Sequence, residues 1–178
     1  MVVVFTSKRK EKGLVLNMRE LRTFNTYTDM QVAHQKEVNK FPFIWVFAFS
    51  DNEFISKMSE EIKKRNPQCT GITTMKGIAN HVVSIGAGGF VFKEDVIAMN
   101  EMFKRHDEEK KLFTREEKNL VNMILDEMNN HEYGYTRDPY DTLMCLGKTY
   151  EDLETDEKFS SAWNKAKKKC FDAFDECN

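Results

Sequence analysis

The densest group of chemically capable side chains in this 178-residue sequence is His131, Glu132, Tyr133, Tyr135, Thr136 and Asp138, set where a helical pattern breaks. Imidazole exchanges protons near neutrality, and Asp138 supplies a carboxylate that could orient His131 as a base. An H-E pair on a helix is also half of the zinc-protease signature, which needs a second His four residues after the first so that both imidazoles share one helix face. Tyr135 stands at that position, and the remaining histidines, His34, His81 and His106, are scattered. The spacing therefore predicts neither a metal site nor a bound cofactor. Cys145, the cysteine nearest to His131, lies in the apolar run LMCL and reads as a small buried hydrophobe more naturally than as a nucleophile. Without a marked nucleophile, the favoured reading of the whole group is a satisfied helix end.

Gly86, Gly88 and Gly89 in the stretch GAGG form a second candidate, because clustered glycines let backbone amides approach a phosphate. The run that follows, FVFK, is strand-like, and neither a Lys-Ser/Thr pair nor G-x-G-x-x-G spacing accompanies it, so a hairpin turn is the stronger reading. A basic run, Lys165, Lys167, Lys168 and Lys169, is nearly cancelled by Asp172, Asp175 and Glu176 and reads as a solvated helix face. Lys63, Lys64 and Arg65 suit the last turn of a helix, where cations meet the negative end of the dipole.

Composition narrows the classes. The chain carries 27 Lys+Arg against 29 Asp+Glu, a net charge of −2, which disfavours a protein whose main task is to hold nucleic-acid backbones. Residues 1–40 are the exception, with eight basic and four acidic residues, so a basic N-terminal arm stays open as a nucleic-acid reading. A 40% apolar share with 14 Phe and 10 Met supports a packed core. Cys69, Cys145, Cys170 and Cys177 include no C-x-x-C pair, and the apolar start Val2 to Phe5 is too short for a secretory segment, so free thiols in a reducing cytoplasm are expected. The longest apolar run, Phe41 to Phe49, is far below the roughly 20 residues that span a bilayer, and no membrane segment is expected.

The elements that must position these groups can be read from periodicity and caps. Tyr27, Met30, His34, Val38 and Phe41 recur at helical spacing over Thr26 to Lys40. FPFIWVFAFS, aromatic and β-branched behind a proline, predicts a central strand near 43–49. Ser50 with Glu53 is a capping box that starts a helix running to Arg65, where Asn66 and Pro67 break it. HVVSI and FVFK predict a hairpin over 81–93. A helix follows with the stripe Val96, Met99, Phe103, His106 and Lys110. Thr114 with Glu117 predicts another capped helix whose face is Leu120, Val121, Ile124, Leu125 and Met128. Asp138 before Pro139 starts a short helix that ends at Gly147, and Phe159, Trp163, Ala166, Cys170 and Phe174 make one face of the last. The sum is an α+β fold: a small antiparallel or mixed sheet packed by about five helices in a single domain spanning 18–178, with residues 1–17 as an accessory segment and Met18 as an alternative initiator.

FAFS before a helix, SIGAGGF, MFKRHDEE, and NHEYGYT followed by DTL and LG together resemble a family of uncharacterised small proteins of bacteria and their phages, over about Met18 to Lys169. The resemblance implies one domain with a dispensable N-terminal tail and brings no activity or site; a phage or mobile-element setting would favour a host-takeover or counter-defence role. The leading expectation is a non-enzymatic binding module that meets another protein through its surface. The rival is a small enzyme or ligand sensor that uses His131, Glu132, Thr136 and Asp138, facing the GAGG turn, on a phosphate-containing ligand. Nucleic-acid binding by the N-terminal arm and the lysine face ranks third.

Overall fold

The computed structural model describes residues 21–176. The expected accessory segment 1–17 and the alternative start at Met18 lie outside them, as does the side chain of Phe174. Helix α1 (Tyr27–Lys40) is followed by strand β1 (Ile44–Trp45), helices α2 (Asp51–Arg65) and α3 (Met75–Ala79), and strands β2 (Val82–Gly86) and β3 (Gly89–Phe92). Then come α4 (Val96–Phe113), α5 (Glu117–Asn130), α6 (Tyr133–Thr136), α7 (Tyr140–Leu146), α8 (Tyr150–Thr155) and α9 (Glu157–Glu176). The class is α+β, with nine α-helices among the described residues rather than about five. The ones not read individually from the sequence are the short α3, α6 and α8, which lack a long periodic stripe. Two compact units emerge: residues up to Ala33 with those from Arg105 onward, and His34–Lys104.

The unit His34–Lys104 holds the sheet, ordered β1-β3-β2 with both pairings antiparallel. β1 is therefore an edge strand, not the central one its composition predicts, and it is short. Pro42 has no N–H to donate to a ladder. Beyond Val46, whose N–H reaches the Gly88 carbonyl at 3.0 Å, the backbone is diverted to α2. Lys57 Nζ donates to the Phe47 carbonyl at 2.9 Å, and the Phe49 N–H donates to Glu53 Oε2 at 3.0 Å. The expected capping box thus forms in altered shape: Ser50 Oγ accepts from the Glu53 N–H, while Glu53 reaches Phe49 instead of Ser50. The inner face of the sheet, Ile44, Val46, Val82 and Phe92, closes on Met58 and Ile62 of α2 and on Ile78 of α3. Complete burial of a side chain such as Met58 contributes about 1.5–3 kcal/mol.

The other unit is helical. α5 packs on α9 and α7, and α9 also receives α6 and α8. Leu120, Val121, Ile124 and Met128 of α5 meet Phe159, Ala162, Trp163, Ala166 and Cys170 of α9, as the helical spacing predicts. The start of α5 differs from expectation: its N-cap is Glu116, without a side-chain cap, because Thr114 Oγ1 donates back to the Lys110 carbonyl at 2.9 Å in the last turn of α4. In the part of α4 that belongs to this unit, His106, Glu109 and Phe113 are buried; of the predicted stripe in the other part, Phe103 is exposed. No helix among the described residues is long and apolar enough to cross a membrane.

Candidate functional site

In the helical unit, three side chains of different chemistry converge. Glu127 and His131 stand four apart on one face of α5, and Cys145 comes from α7, which packs against it; no two of their candidate ligand atoms lie more than 4.8 Å apart. Glu127 falls on the buried stripe of α5, in line with Leu120 and Ile124, and is only 5% exposed. A buried carboxylate must be met by donors. Tyr27 Oη donates to Oε1 at 2.6 Å and Gln31 Nε2 donates to the same oxygen at 3.2 Å, so α1 fixes the group from outside. The second oxygen, Oε2, faces His131 Nε2 at 3.6 Å. Burial first, then the Glu127 carboxylate, hold the Tyr27 phenol well above its ordinary range. The Cys145 thiol is pushed up by partial desolvation and by the carboxylates of Glu127 and Asp141, against the pull of Lys110. A nucleophilic cysteine needs the opposite, a stabilised thiolate.

The residues singled out by sequence take other roles. His131 is the half-buried C-cap of α5. Glu132 is exposed and adopts a left-handed conformation, φ 51°, and Arg137 does the same at φ 58°. These two unfavourable residues bracket α6, and the strain is offset by what α6 buries. The Tyr133 ring stacks on Phe171 at 5.7 Å and meets Trp163 edge-on at 5.6 Å, while the Arg137 guanidinium lies 4.3 Å over the Phe171 ring. Asp138 works as a cap one residue before the geometric N-cap, Pro139: its Oδ1 accepts from the Tyr140 N–H at 2.9 Å, and its own N–H donates to Thr136 Oγ1 at 3.3 Å. The carboxylate beside His131 is Glu127, one turn earlier, and not Asp138. Cys145 is exposed, because Leu143 and Leu146 take the buried face of α7. Glu127 was missed by sequence reading, although its i,i+4 spacing from His131 was a usable signal.

The glycines lie in the sheet unit. Gly86 pairs with Gly89 across a two-residue turn, Ala87–Gly88, whose φ values of 49° and 77° are the mirror-image geometry that suits a twisted hairpin. A Cβ on Gly88 would stand 2.8 Å from Cε1 of Phe47, and one on Gly89 would stand 2.9 Å from Cζ3 of Trp45 and 3.0 Å from Cγ1 of Ile85. Aromatic rings thus lie against the bare backbone. On this outer face Trp45 is 58% and Phe47 69% exposed, with Val83 and Ile85 also exposed toward the hairpin end, whereas Val91, the cross-strand partner of Val83, is fully buried. At the end of the inner face, Phe49, Phe54, Met75, Ile78, Val82 and Phe90 line an apolar groove of about 480 Å³.

Comparison with known proteins adds one identification. No curated protein matches the chain, and neither does any solved structure. A family model described as "Family of unknown function (DUF7659)" matches residues 26–169, from the residue before α1 to the last lysine of the basic run on α9. Both the sheet with its aromatic face and the Glu127, His131 and Cys145 cluster fall within that span, and on it the chain belongs to the DUF7659 family of unknown function.

Proposed function

We propose that the chain is a non-enzymatic binding module that engages another protein through the outer face of its sheet. The observation that carries this reading is the grouping of Trp45, Phe47, Val83 and Ile85, exposed together over two glycines that present no side chain of their own. Contiguous exposed apolar surface of this kind marks interaction sites, and Trp is among the residues that dominate them. Residues 34–104 hold nine Lys/Arg against eight Asp/Glu, so the surroundings of the patch favour a protein partner over a phosphate backbone. A cytoplasmic setting is supported by Cys69, Cys145 and Cys170 standing as free thiols. A phage or mobile-element origin, with a host-takeover or counter-defence role, rests on the resemblance of the sequence motifs.

Capture from cell extract, run with and without nuclease treatment, tests the reading. The wild-type chain and the variants Trp45→Ser and Phe47→Ser are compared at matched melting temperature. One protein retained by wild type and lost from both variants is the expected result. Equal retention by all three would overturn it, and capture that disappears on nuclease treatment would transfer the surface to nucleic acid.

A further inference from the structure

We propose that Glu127, His131 and Cys145 form a binding site for a divalent transition-metal ion of the zinc class. The three supply one carboxylate, one imidazole and one thiol, whose candidate ligand atoms all lie within 4.8 Å of one another. Around a four-coordinate zinc-like ion, with bonds of about 2.0–2.3 Å, neighbouring ligand atoms stand roughly 3.3–3.6 Å apart. The Glu127 to His131 separation of 3.6 Å already meets that spacing. Cys145, exposed on α7, and His131, half-buried at the end of α5, can close the remainder by side-chain rotation.

An ordinary helix-surface ion pair accounts for Glu127 and His131 alone, but not for two further features. Cys145 arrives from a separate helix as a third donor. Tyr27 and Gln31 both donate to the same oxygen of a carboxylate that is almost wholly buried, which leaves Oε2 facing the imidazole. Outer donors that orient a ligating carboxylate are a regular part of metal sites. The donor set selects the ion. Calcium and magnesium take oxygen ligands, whereas a thiolate with an imidazole suits a borderline-soft ion such as zinc. Binding replaces the Cys145 S–H bond with a sulfur–metal bond and releases that proton to solvent. Three protein ligands leave a fourth position for water or a small ligand, as at zinc sites that do chemistry.

Cobalt(II) is the probe, because it substitutes for zinc and reports thiolate ligation through a near-ultraviolet charge-transfer band and visible d–d bands. Titration of the full chain under reducing conditions should give both, saturating at one ion per chain and displaced by one equivalent of zinc. Cys145→Ser should abolish the charge-transfer band, and His131→Gln should weaken cobalt binding at least tenfold. Tyr27→Phe should keep the spectrum while weakening affinity by roughly tenfold, as expected for an outer-shell partner. Both ligand variants alter positions outside the packed core, and circular dichroism verifies that they fold. A wild-type chain without the bands, or bands that survive in Cys145→Ser because Cys69, Cys170 or Cys177 supplies the sulfur, would overturn the proposal.

Discussion

The two units solve opposite problems. In the helical unit the polar groups are inside: His106, Glu109, Glu127 and Thr142 are the buried polar side chains of the described residues, and all four belong to it. In the sheet unit the buried side chains are apolar, with Ile44, Val46, Met58, Ile62, Ile78, Val82 and Phe92 as one cluster and Val91 and Met102 beyond it, while Trp45, Phe47 and Phe49 are exposed. Burying a carboxylate costs stability unless donors meet it, and exposing aromatic rings gains nothing for the fold. The proposed roles would account for each departure: orientation of a few polar atoms in one unit, contact with a partner in the other.

If that contrast is sound, the helical unit should be most sensitive to loss of a polar partner. Arg22 clasps the fully buried Glu109 through Nε at 2.9 Å and Nη2 at 2.7 Å, with its backbone N–H adding a third bond at 3.0 Å. Arg22→Ala leaves that carboxylate without its main cation and should cost about 3 kcal/mol in urea unfolding. In the sheet unit the largest effect should come from backbone geometry. Gly88→Val combines a φ of 77° with a clash against Phe47, for an expected loss of about 2 kcal/mol.

Smaller effects sharpen the picture. Tyr27→Phe removes the hydroxyl donor to Glu127 and should cost about 1–2 kcal/mol at neutral pH. Because the folded state raises the pKa of Tyr27, its contribution is fully present below the unfolded value near 10 and is lost as pH rises beyond it. Wild type should accordingly lose more stability than Tyr27→Phe between neutral pH and strongly alkaline solution. Asp138→Ala removes the acceptor of the Tyr140 N–H and should cost about 1 kcal/mol, whereas Glu132→Gln, at an exposed position, should change stability by less than about 0.5 kcal/mol. Trp45→Ser should be similarly mild in melting experiments, a sheet-unit counterpart to the sensitivity of Tyr27.

Much of this architecture was legible because local signals and packing agree. Phe159, Trp163, Ala166 and Cys170 on α9 and Leu120, Val121, Ile124 and Met128 on α5 stand at helical spacings that bury as read, with Leu125 partly buried beside them, and Gly147 ends α7 with a φ of 70°, as a C-terminal glycine should. The hairpin was legible for the same reason, since the turn needs positive φ where the glycines cluster. What failed was non-local. The edge position of β1 depends on Lys57 and Glu53 taking the backbone groups of Phe47 and Phe49, which strand propensity does not contain. The Glu127, His131 and Cys145 cluster was hidden because motif spacing searches forward from His131. The nearer carboxylate lies one turn back, and the thiol comes from another helix. Thr114 misled because a hydroxyl can bond backward to the preceding helix as well as forward to the next.

The division of roles between the units is tested most directly by partner capture with two folded variants side by side, Phe47→Ser in the sheet unit and Cys145→Ser in the helical unit. The account expects the protein retained by wild type to be lost from Phe47→Ser and kept by Cys145→Ser. Retention by Phe47→Ser with loss from Cys145→Ser would place partner recognition in the helical unit and contradict it.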